Sequence, residues 1–286
     1  MTPLGIRETE FDLCAVDDRI MGAGVLPVRI VRGTVQLLLG KERYVSNWRG
    51  SHKWSGFEGG RKPGEDIEST AAREFIEESI SSVRLIECNT TIASVVQALK
   101  AKKYIARIAL CIMHGPHNEP RYQITYLMEA SHSHDCEACF VARRKTLMRF
   151  DNHAKLLDDG DDDLVRARMA QEYQNLDAAC RAAIECDEHH NVVRVIDDFV
   201  EKQVVQWWTL RDLEEVLQNG GFVNANFFRA YFLPVLCRAV QELRSYDDGG
   251  SGAACEGGSE YGCAVCAPCE DEGAAPPSPP ADAAAK

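Results

Sequence analysis

The chain has 286 residues, of which 45% are hydrophobic, and it carries a formal net charge of −12. This length and apolar content are enough for one large domain, with or without additions. The negative charge excludes a globally basic protein that binds nucleic acid without sequence preference. It does not exclude an anionic substrate, because residues 247–286 hold eight acids and one lysine, a net of −7, which leaves only −5 for residues 1–246.

No apolar run approaches the roughly 18 residues that are needed to cross a bilayer. The N-terminus also lacks the basic-then-apolar pattern of a secretory signal. We therefore expect an intracellular, cytoplasmic protein with no membrane contact and no obligate protein partner. In that setting the 12 cysteines are interpreted as reduced thiols or metal ligands rather than as a disulfide framework.

The first half of the chain has an α/β pattern. Two β-branched, apolar runs, Gly24 to Val31 and Val35 to Leu39, are divided by Arg32-Gly33 and predict a pair of strands. A helix is predicted over residues 66–79. Further strands are predicted over residues 104–113, 123–128 and 204–210, the last of them leading into a helix near residues 211–218.

Apolar residues at steps of three and four predict two longer helices, from Val165 to Cys180 and from Phe228 to Leu243. Residues 136–198 lie between strands that would otherwise be near neighbours, and we interpret them as a mostly helical insertion. The tail is rich in Gly, Ala, Pro and Ser, which predicts disorder. The predicted organisation is an N-terminal extension over residues 1–22, a domain over residues 23–246 and an acidic low-complexity tail over residues 247–286.

The segment that indicates chemistry is GGRKPGEDIESTAAREFIEES, residues 59–79. A glycine-rich turn lets the backbone approach a ligand closely. In the helix that follows, Glu74, Glu77 and Glu78 share one face, where a like-charged pair one turn apart costs about 0.2–0.5 kcal/mol. Carboxylates in this number are typical ligands of Mg²⁺ or Mn²⁺. The alternative is a solvated acidic helix face whose charge Arg73 offsets.

The spacing of this segment matches the pattern G-x5-E-x7-R-E-U-x-E-E-x-G-U, in which U is aliphatic or aromatic. The matching residues are Gly59, Glu65, Arg73, Glu74, Phe75, Glu77 and Glu78. The chain thereby resembles the Nudix hydrolase family, and its flanking segments LLLGKER and VVQWWTLRDLEEVL are also similar to that family. Two positions depart from the pattern, since Ile80 replaces the glycine and Ser81 replaces the apolar residue at the helix exit.

The resemblance implies an α/β/α sandwich of the Nudix type, with a mixed sheet, and an enzyme that cleaves a phosphoanhydride by attack of water on phosphorus. It implies that Glu74, Glu77 and Glu78, with the backbone carbonyl of Gly59, bind Mg²⁺ or Mn²⁺.

In the same family pattern, Glu65 and Arg73 form a structural ion pair. The resemblance leaves the general base open. The candidates are a glutamate of the motif and Glu201, which lies just before the predicted strand that starts at residue 204.

Substrate contacts are predicted in and around the segment YVSNWRGSHKWSGF, residues 44–57, which mixes aromatic and basic side chains directly before the motif. The substrate-binding candidates are Arg43, Trp48, Lys53 and Trp54. Aromatic rings stack on bases or attract a methylated, positively charged guanine. For Trp54 the alternative is ordinary packing in the core.

Basic clusters at residues 100–107 and 143–149 suggest contact with an RNA backbone or a polyphosphate. Together with the insertion they resemble Nudix mRNA-decapping enzymes, including those of large DNA viruses, which implies RNA binding and hydrolysis of the 5′ cap to release m7GDP. The alternatives are small nucleoside diphosphate derivatives, dinucleotide polyphosphates or diphosphoinositol polyphosphates as substrates, and a non-catalytic Nudix-fold binding module.

A further candidate is a zinc site at the two ends of the insertion. Its ligands would be Cys136, Cys139, Cys186 and His190, which are residue types that zinc prefers. The alternative is that these cysteines lie in loops and bind no metal.

Overall fold

The computed structural model describes residues 7–8, 17–114, 119–158, 163–188, 191–219 and 226–247. Within these residues, a mixed eight-stranded sheet has helices on both faces. The predicted α/β/α architecture with a mixed sheet is therefore confirmed. The segment for which disorder was predicted lies, apart from Asp247, outside the described residues.

Strands and helices are mixed along the chain, with the first five strands preceding the first α-helix. The strands are β1 (Arg7–Glu8), β2 (Ile20–Val31), β3 (Thr34–Glu42), β4 (Trp54–Ser55), β5 (Phe57–Gly60), β6 (Ala106–His114), β7 (Glu119–Glu129), β8 (Ile184–Cys186), β9 (Val192–Val195) and β10 (Lys202–Thr209). The helices are α1 (Ile67–Ser79), α2 (Ile92–Lys100), α3 (Cys136–Asp158), α4 (Asp163–Gln174), α5 (Ala178–Ala182), α6 (Leu210–Gln218) and α7 (Phe232–Asp247).

The central strand of the sheet is β2. The strand order is β1-β6-β7-β2-β3-β10, with β5 also paired to β2 and β4 to β3. One end of β2 pairs with β5, which places Gly59 opposite Ala23, and the other end pairs with β3. The β10 strand is antiparallel to β3, with Lys202 opposite Glu42. This arrangement brings the glycine-rich turn, the end of β3 and the start of β10 to one region of the sheet.

Successive residues of β2 belong to two separate cores, because side chains alternate between the faces of a strand. Val25 is buried with Phe75 of α1 and Phe140 of α3 on one face. Leu26 is buried with Phe232 of α7 on the other face. Burial on both faces explains why the first predicted strand reads as a continuous apolar run rather than as an alternating one.

The insertion is mostly helical, as predicted, but it is more divided than the sequence suggested. The helix predicted from Val165 to Cys180 is interrupted after Gln174, because the Asp177 side chain accepts a hydrogen bond from the Cys180 amide and starts α5 as a new helix. A small hairpin of β8 and β9 follows, which was not predicted. Its strands of three and four residues are too short to give a recognisable periodicity.

Two further boundaries and one helix differ from the prediction. The β2 strand begins at Ile20, inside the segment predicted as an N-terminal extension, because its start, IMGAG, is too rich in glycine to show a strand pattern. The last helix begins at Phe232 rather than Phe228, because Phe228 instead forms a β-bridge with Trp54. The α2 helix was not predicted. The division of the chain into extension, domain and tail stays a prediction.

In the described part of the chain, every helix is too short or too polar to cross a bilayer.

Candidate active site

The α1 helix positions the motif glutamates. It begins after Asp66, whose side chain accepts a hydrogen bond from the Ser69 amide at 2.8 Å, and it ends at Ser79, with Ile80 as its C-terminal cap. Ile80 and Ser81 have φ angles of 51° and 50°, in the left-handed region. The motif glycine that Ile80 replaces would fit this exit without strain. The departure at these two positions therefore strains the helix exit and leaves the acidic face of α1 intact.

Replacing Ser81 with glycine is expected to raise the free energy of unfolding by about 1 kcal/mol, because glycine adopts the left-handed region without the cost to a side chain. Urea unfolding monitored by circular dichroism would measure the free energy of unfolding of both proteins. The control is Ser133→Gly, in a loop outside the helix exit, which relieves no positive φ and should not stabilise the chain. A Ser81→Gly variant that is less stable than the wild type would contradict the inference that Ser81 strains the helix exit.

The Asp66 cap predicts a pH-dependent contribution to stability. Burial acts to raise its pKa, but hydrogen bonds from Lys100 and Ser69 outweigh this and lower it to about 2. Because the folded-state pKa is depressed, the contribution is present above the usual pKa near 3.8 and is lost as the pH falls toward 2. We expect Asp66→Ala to cost about 1 kcal/mol at pH 7, a difference that should narrow at pH values below about 4. A difference between the variants that grows on acidification would contradict this assignment.

Arg73 holds three of the motif carboxylates together. Its guanidinium contacts Glu65 at 2.7 and 3.0 Å, Glu74 at 2.6 Å and Glu77 at 3.0 Å, and it also donates to the Gly60 carbonyl. Hydrogen bonding from Arg73 lowers the pKa of Glu65 to about 2. The two residues expected to form a structural ion pair are thus in direct contact, and the same arginine also orients two predicted metal ligands.

Gly59 allows a close approach of Glu74 to β5. A Cβ atom at this position would lie 2.4 Å from the Glu74 carboxyl carbon, so any other residue would displace that carboxylate. The requirement for glycine at the start of the motif therefore has a steric cause in this chain.

Glu78 lies deeper than the other motif glutamates. Its side chain is 2% exposed; one oxygen is 3.0 Å from the Lys202 ammonium and the other accepts from the Glu58 amide at 2.8 Å. Lys202 also donates to Glu42 at 2.5 Å. Neither Glu42 nor Lys202 was identified from the sequence, because their contact joins residues 160 positions apart. In the sequence, Glu42 is marked only by its place as a charged residue at the end of an apolar strand, in the segment LLLGKE.

Glu42, Glu78 and Glu201 bring carboxylate oxygens within 4.8 Å of one another. Within the described ranges, this is the one cluster of at least three aspartate, glutamate, histidine or cysteine side chains close enough to share a metal ion. One Glu42 oxygen, Oε2, is buried and has no hydrogen-bond partner among those residues. A buried carboxylate oxygen without a donor is costly, and a divalent cation would satisfy it. The donor set consists of hard oxygen atoms and fits Mg²⁺ or Mn²⁺.

The surrounding charge also favours a cation. Burial raises the pKa of Glu74 to about 7, and it raises the pKa of Glu78 well above its usual range. Burial likewise raises the pKa of Glu58, Glu77 and Glu201. Neighbouring carboxylates contribute to the shifts of Glu74 and Glu78. The nearby cationic side chains, among them Arg73, Lys202 and Arg229, therefore do not fully compensate the negative charge of these carboxylates.

A cavity of about 190 Å³ adjoins the carboxylates and is lined by Glu42, Arg43, Val45, Trp48 and Glu201. Two of the substrate-binding candidates, Arg43 and Trp48, therefore lie at the site. Lys53 and Trp54 are not part of the lining, and Trp54 is buried against Trp208, in agreement with the alternative of core packing.

Arg229 connects the cavity wall to the cluster. Its guanidinium lies 5.5 Å from the centre of the Trp48 ring and 3.2 Å from Glu42 Oε1. It was not identified from the sequence, where it stands alone among apolar residues.

Much of the charge in the two basic clusters is neutralised by ion pairs. The pairs are Lys100–Asp66, Lys103–Glu87, Arg143–Asp177 and Arg149–Glu172. These side chains are therefore less available to an RNA backbone than the sequence suggests.

Of the proposed zinc ligands, Cys136 is buried and its sulfur accepts a hydrogen bond from the Trp207 indole at 3.1 Å. Cys139 and Cys186 are partly buried free thiols. His190 lies outside the described residues, so the zinc site stays a prediction.

The fold and the site together define an α/β protein with a buried carboxylate cluster suited to a divalent cation. No family model and no curated protein matches the sequence. Similar solved structures include a C. elegans Ap4A hydrolase in a binary complex, at 14% identity over 81% of this chain and 99% of that chain, with a TM-score of 0.33.

Two further structures are similar to the same degree. The NUDIX domain of Shewanella oneidensis NrtR complexed with ADP ribose has 12% identity over 82% of this chain and 94% of that chain, with a TM-score of 0.33. A NUDIX hydrolase from Alicyclobacillus acidocaldarius has 13% identity over 78% of this chain and 91% of that chain, with a TM-score of 0.34.

Proposed function

We propose that this chain is a divalent-metal-dependent hydrolase of phosphoanhydride bonds that belongs to the Nudix family. The observation that carries the proposal is the cluster that joins Glu78 of the motif helix to Glu42 and Glu201. It contains a buried carboxylate oxygen that has no donor among the described residues. A solvated acidic helix face, the alternative considered from sequence, does not fit Glu78, which is 2% exposed.

The cation would be Mg²⁺ or Mn²⁺, held by Glu42, Glu78 and Glu201 together with the motif ligands Glu74, Glu77 and the Gly59 carbonyl. When bound, such an ion supplies positive charge that stabilises phosphoryl oxygens and lowers the pKa of water. The contacts of Arg73 with Glu74 and Glu77 fix the orientation of those two carboxylates.

Glu201 is the preferred candidate for the general base. Glu201 and Glu42 both belong to the cluster and line the cavity in which a substrate would lie. Glu42 Oε1 already accepts from Lys202, Ser55 and Arg229, which favours Glu201. Both oxygens of Glu78 are already bonded, to Lys202 and to the Glu58 amide, so Glu78 is less free to accept a proton from water. In this proposal a Glu201 carboxylate oxygen takes the proton of the attacking water.

The proposed substrate is the 5′ cap of mRNA, with release of m7GDP. Support comes from the cavity, where the Trp48 ring and the Arg43 guanidinium stand next to the carboxylates. An aromatic ring attracts a methylated guanine by stacking and cation–π interaction, and a guanidinium pairs with phosphate.

A second candidate is a small substrate, such as a nucleoside diphosphate derivative, a dinucleotide polyphosphate or a diphosphoinositol polyphosphate. The ion pairs that neutralise much of the two basic clusters favour it, because they leave less positive charge for an RNA backbone.

One assay separates these candidates. The full chain is incubated with Mg²⁺ and cap-labelled RNA, and in parallel with a panel of nucleotide and inositol pyrophosphates. Release of methylated guanosine diphosphate supports decapping, whereas turnover of the panel alone supports the small-substrate alternative. If none of these compounds is hydrolysed with Mg²⁺ or Mn²⁺, the hydrolase proposal is wrong and a non-catalytic binding module remains.

A further inference from the structure

Lys202 is a fully buried lysine within the carboxylate cluster. Its side chain is 0% exposed, and its ammonium contacts Glu42 at 2.5 Å, Ser55 at 2.7 Å and Glu78 at 3.0 Å. Lysine is among the residues that are almost never fully buried unless paired. Burying an ammonium costs several kcal/mol unless good geometry and additional hydrogen bonds compensate. All three partners are oxygen atoms, so the ammonium is a cation that the fold builds into the cluster.

Several elements of the fold accommodate this lysine. The pairing of β10 with β3 shifts register between Lys202 and Val204, and Lys202 lies opposite Glu42. Gly40 leaves room for the aliphatic stem, since a Cβ there would lie 2.9 Å from Lys202 Cδ. From the insertion helix α3, Arg144 donates to the Lys202 carbonyl at 2.8 Å.

The two oxygens of Glu42 have different surroundings. Oε1 accepts from Lys202, Ser55 and Arg229, whereas Oε2 is buried and has no donor among the described residues. Glu42 therefore presents one oxygen to the cationic side chains of Lys202 and Arg229 and the other oxygen to a position that the described residues do not fill.

We propose that the Lys202 ammonium is an internal counterion that takes one cation position of the cluster, so that the site binds one divalent ion fewer than its carboxylates would otherwise hold. The inference rests on the proposed function, because it assumes that the cluster binds a divalent cation. Lys202 is thus a positioning residue: it keeps Glu42 and Glu78 together before the metal binds. It leaves Glu42 Oε2 for the ion that Glu78 and Glu201 would also hold.

The test compares Mn²⁺ binding and thermal unfolding of the full chain with those of Lys202→Met, which keeps the length of the stem and removes the charge. Mn²⁺ bound per chain is counted by electron paramagnetic resonance, and the unfolding temperature is measured with and without Mn²⁺. The control is Lys103→Met, which removes an exposed lysine paired with Glu87.

We expect Lys202→Met to bind one more Mn²⁺ per chain than the wild type. We also expect Mn²⁺ to raise its unfolding temperature more than that of the wild type, because the ion replaces the missing counterion. Lys103→Met should match the wild type in both measurements. If Lys202→Met folds only after Mn²⁺ is added, that result also supports the proposal.

An unchanged Mn²⁺ count in Lys202→Met would overturn the inference, and so would a variant that stays unfolded at every Mn²⁺ concentration. A purely structural lysine predicts equal destabilisation with and without metal. If the proposed function itself is wrong, the result is different, because the wild-type chain would then bind no Mn²⁺.

Discussion

Glu78→Gln is expected to lower kcat for phosphoanhydride hydrolysis by about 10²–10³-fold, the loss typical of removing one group that stabilises transition-state charge. Glutamine keeps the size of the side chain, and its amide oxygen still accepts from the Glu58 amide. It lacks the negative charge that Glu78 contributes to the cluster with Glu42 and Glu201. The measurement is steady-state turnover at saturating Mg²⁺ of whichever substrate the assay identifies.

The control for Glu78→Gln is Glu68→Gln, in the first turn of the same helix. Glu68 accepts a hydrogen bond from the Tyr126 hydroxyl and is not part of the cluster. We expect Glu68→Gln to retain wild-type turnover. Undiminished turnover in Glu78→Gln would remove Glu78 from the metal site.

Arg73→Met is expected to lower the free energy of unfolding by about 3–5 kcal/mol in the absence of divalent metal, the usual cost of leaving buried charges without their partner. The arginine is mostly buried and is the common partner of Glu65, Glu74 and Glu77. Added Mg²⁺ should recover part of the loss, because the proposed ion would take up charge on Glu74 and Glu77. Urea unfolding with and without Mg²⁺ measures both effects.

The matched control is Arg168→Met, which breaks an exposed pair with Glu172 one helical turn away. Exposed pairs of this type contribute about 0.3–0.5 kcal/mol, so this variant should be close to the wild type. A similarly small effect of Arg73→Met would contradict the role of Arg73 as the shared counterion of the motif.

Local patterns in the sequence predict much of the architecture and the part of the site that α1 supplies. The spacing of Glu74, Glu77 and Glu78 follows from helical periodicity, and the pairing of β2 with β3 follows from two apolar runs around Arg32-Gly33. The strands of the β8–β9 hairpin are too short for such a signal. The break before α5 depends on one capping side chain, Asp177. The regular spacing of apolar residues continues through this position and does not indicate the break.

The rest of the site depends on contacts between distant segments. Glu42 and Lys202 meet because β10 pairs with β3 after the whole insertion, and no local pattern encodes that pairing. The depth of Glu78 was likewise not predictable, because helical periodicity places it on an acidic face without indicating that Lys202 covers it. The carboxylates of α1 are therefore predictable from the sequence, whereas their buried counterion Lys202 is not.

The cation site of Glu42, Glu78 and Glu201 is best probed by titrating Mn²⁺ into the full chain and into Glu42→Gln. The control is Glu185→Gln, at an exposed position of β8. We expect Glu42→Gln to raise the Kd for Mn²⁺ by about tenfold or more, equivalent to about 1.4 kcal/mol, and Glu185→Gln to bind as the wild type does. Equal Mn²⁺ affinity in all three proteins would mean that Glu42 does not hold the ion.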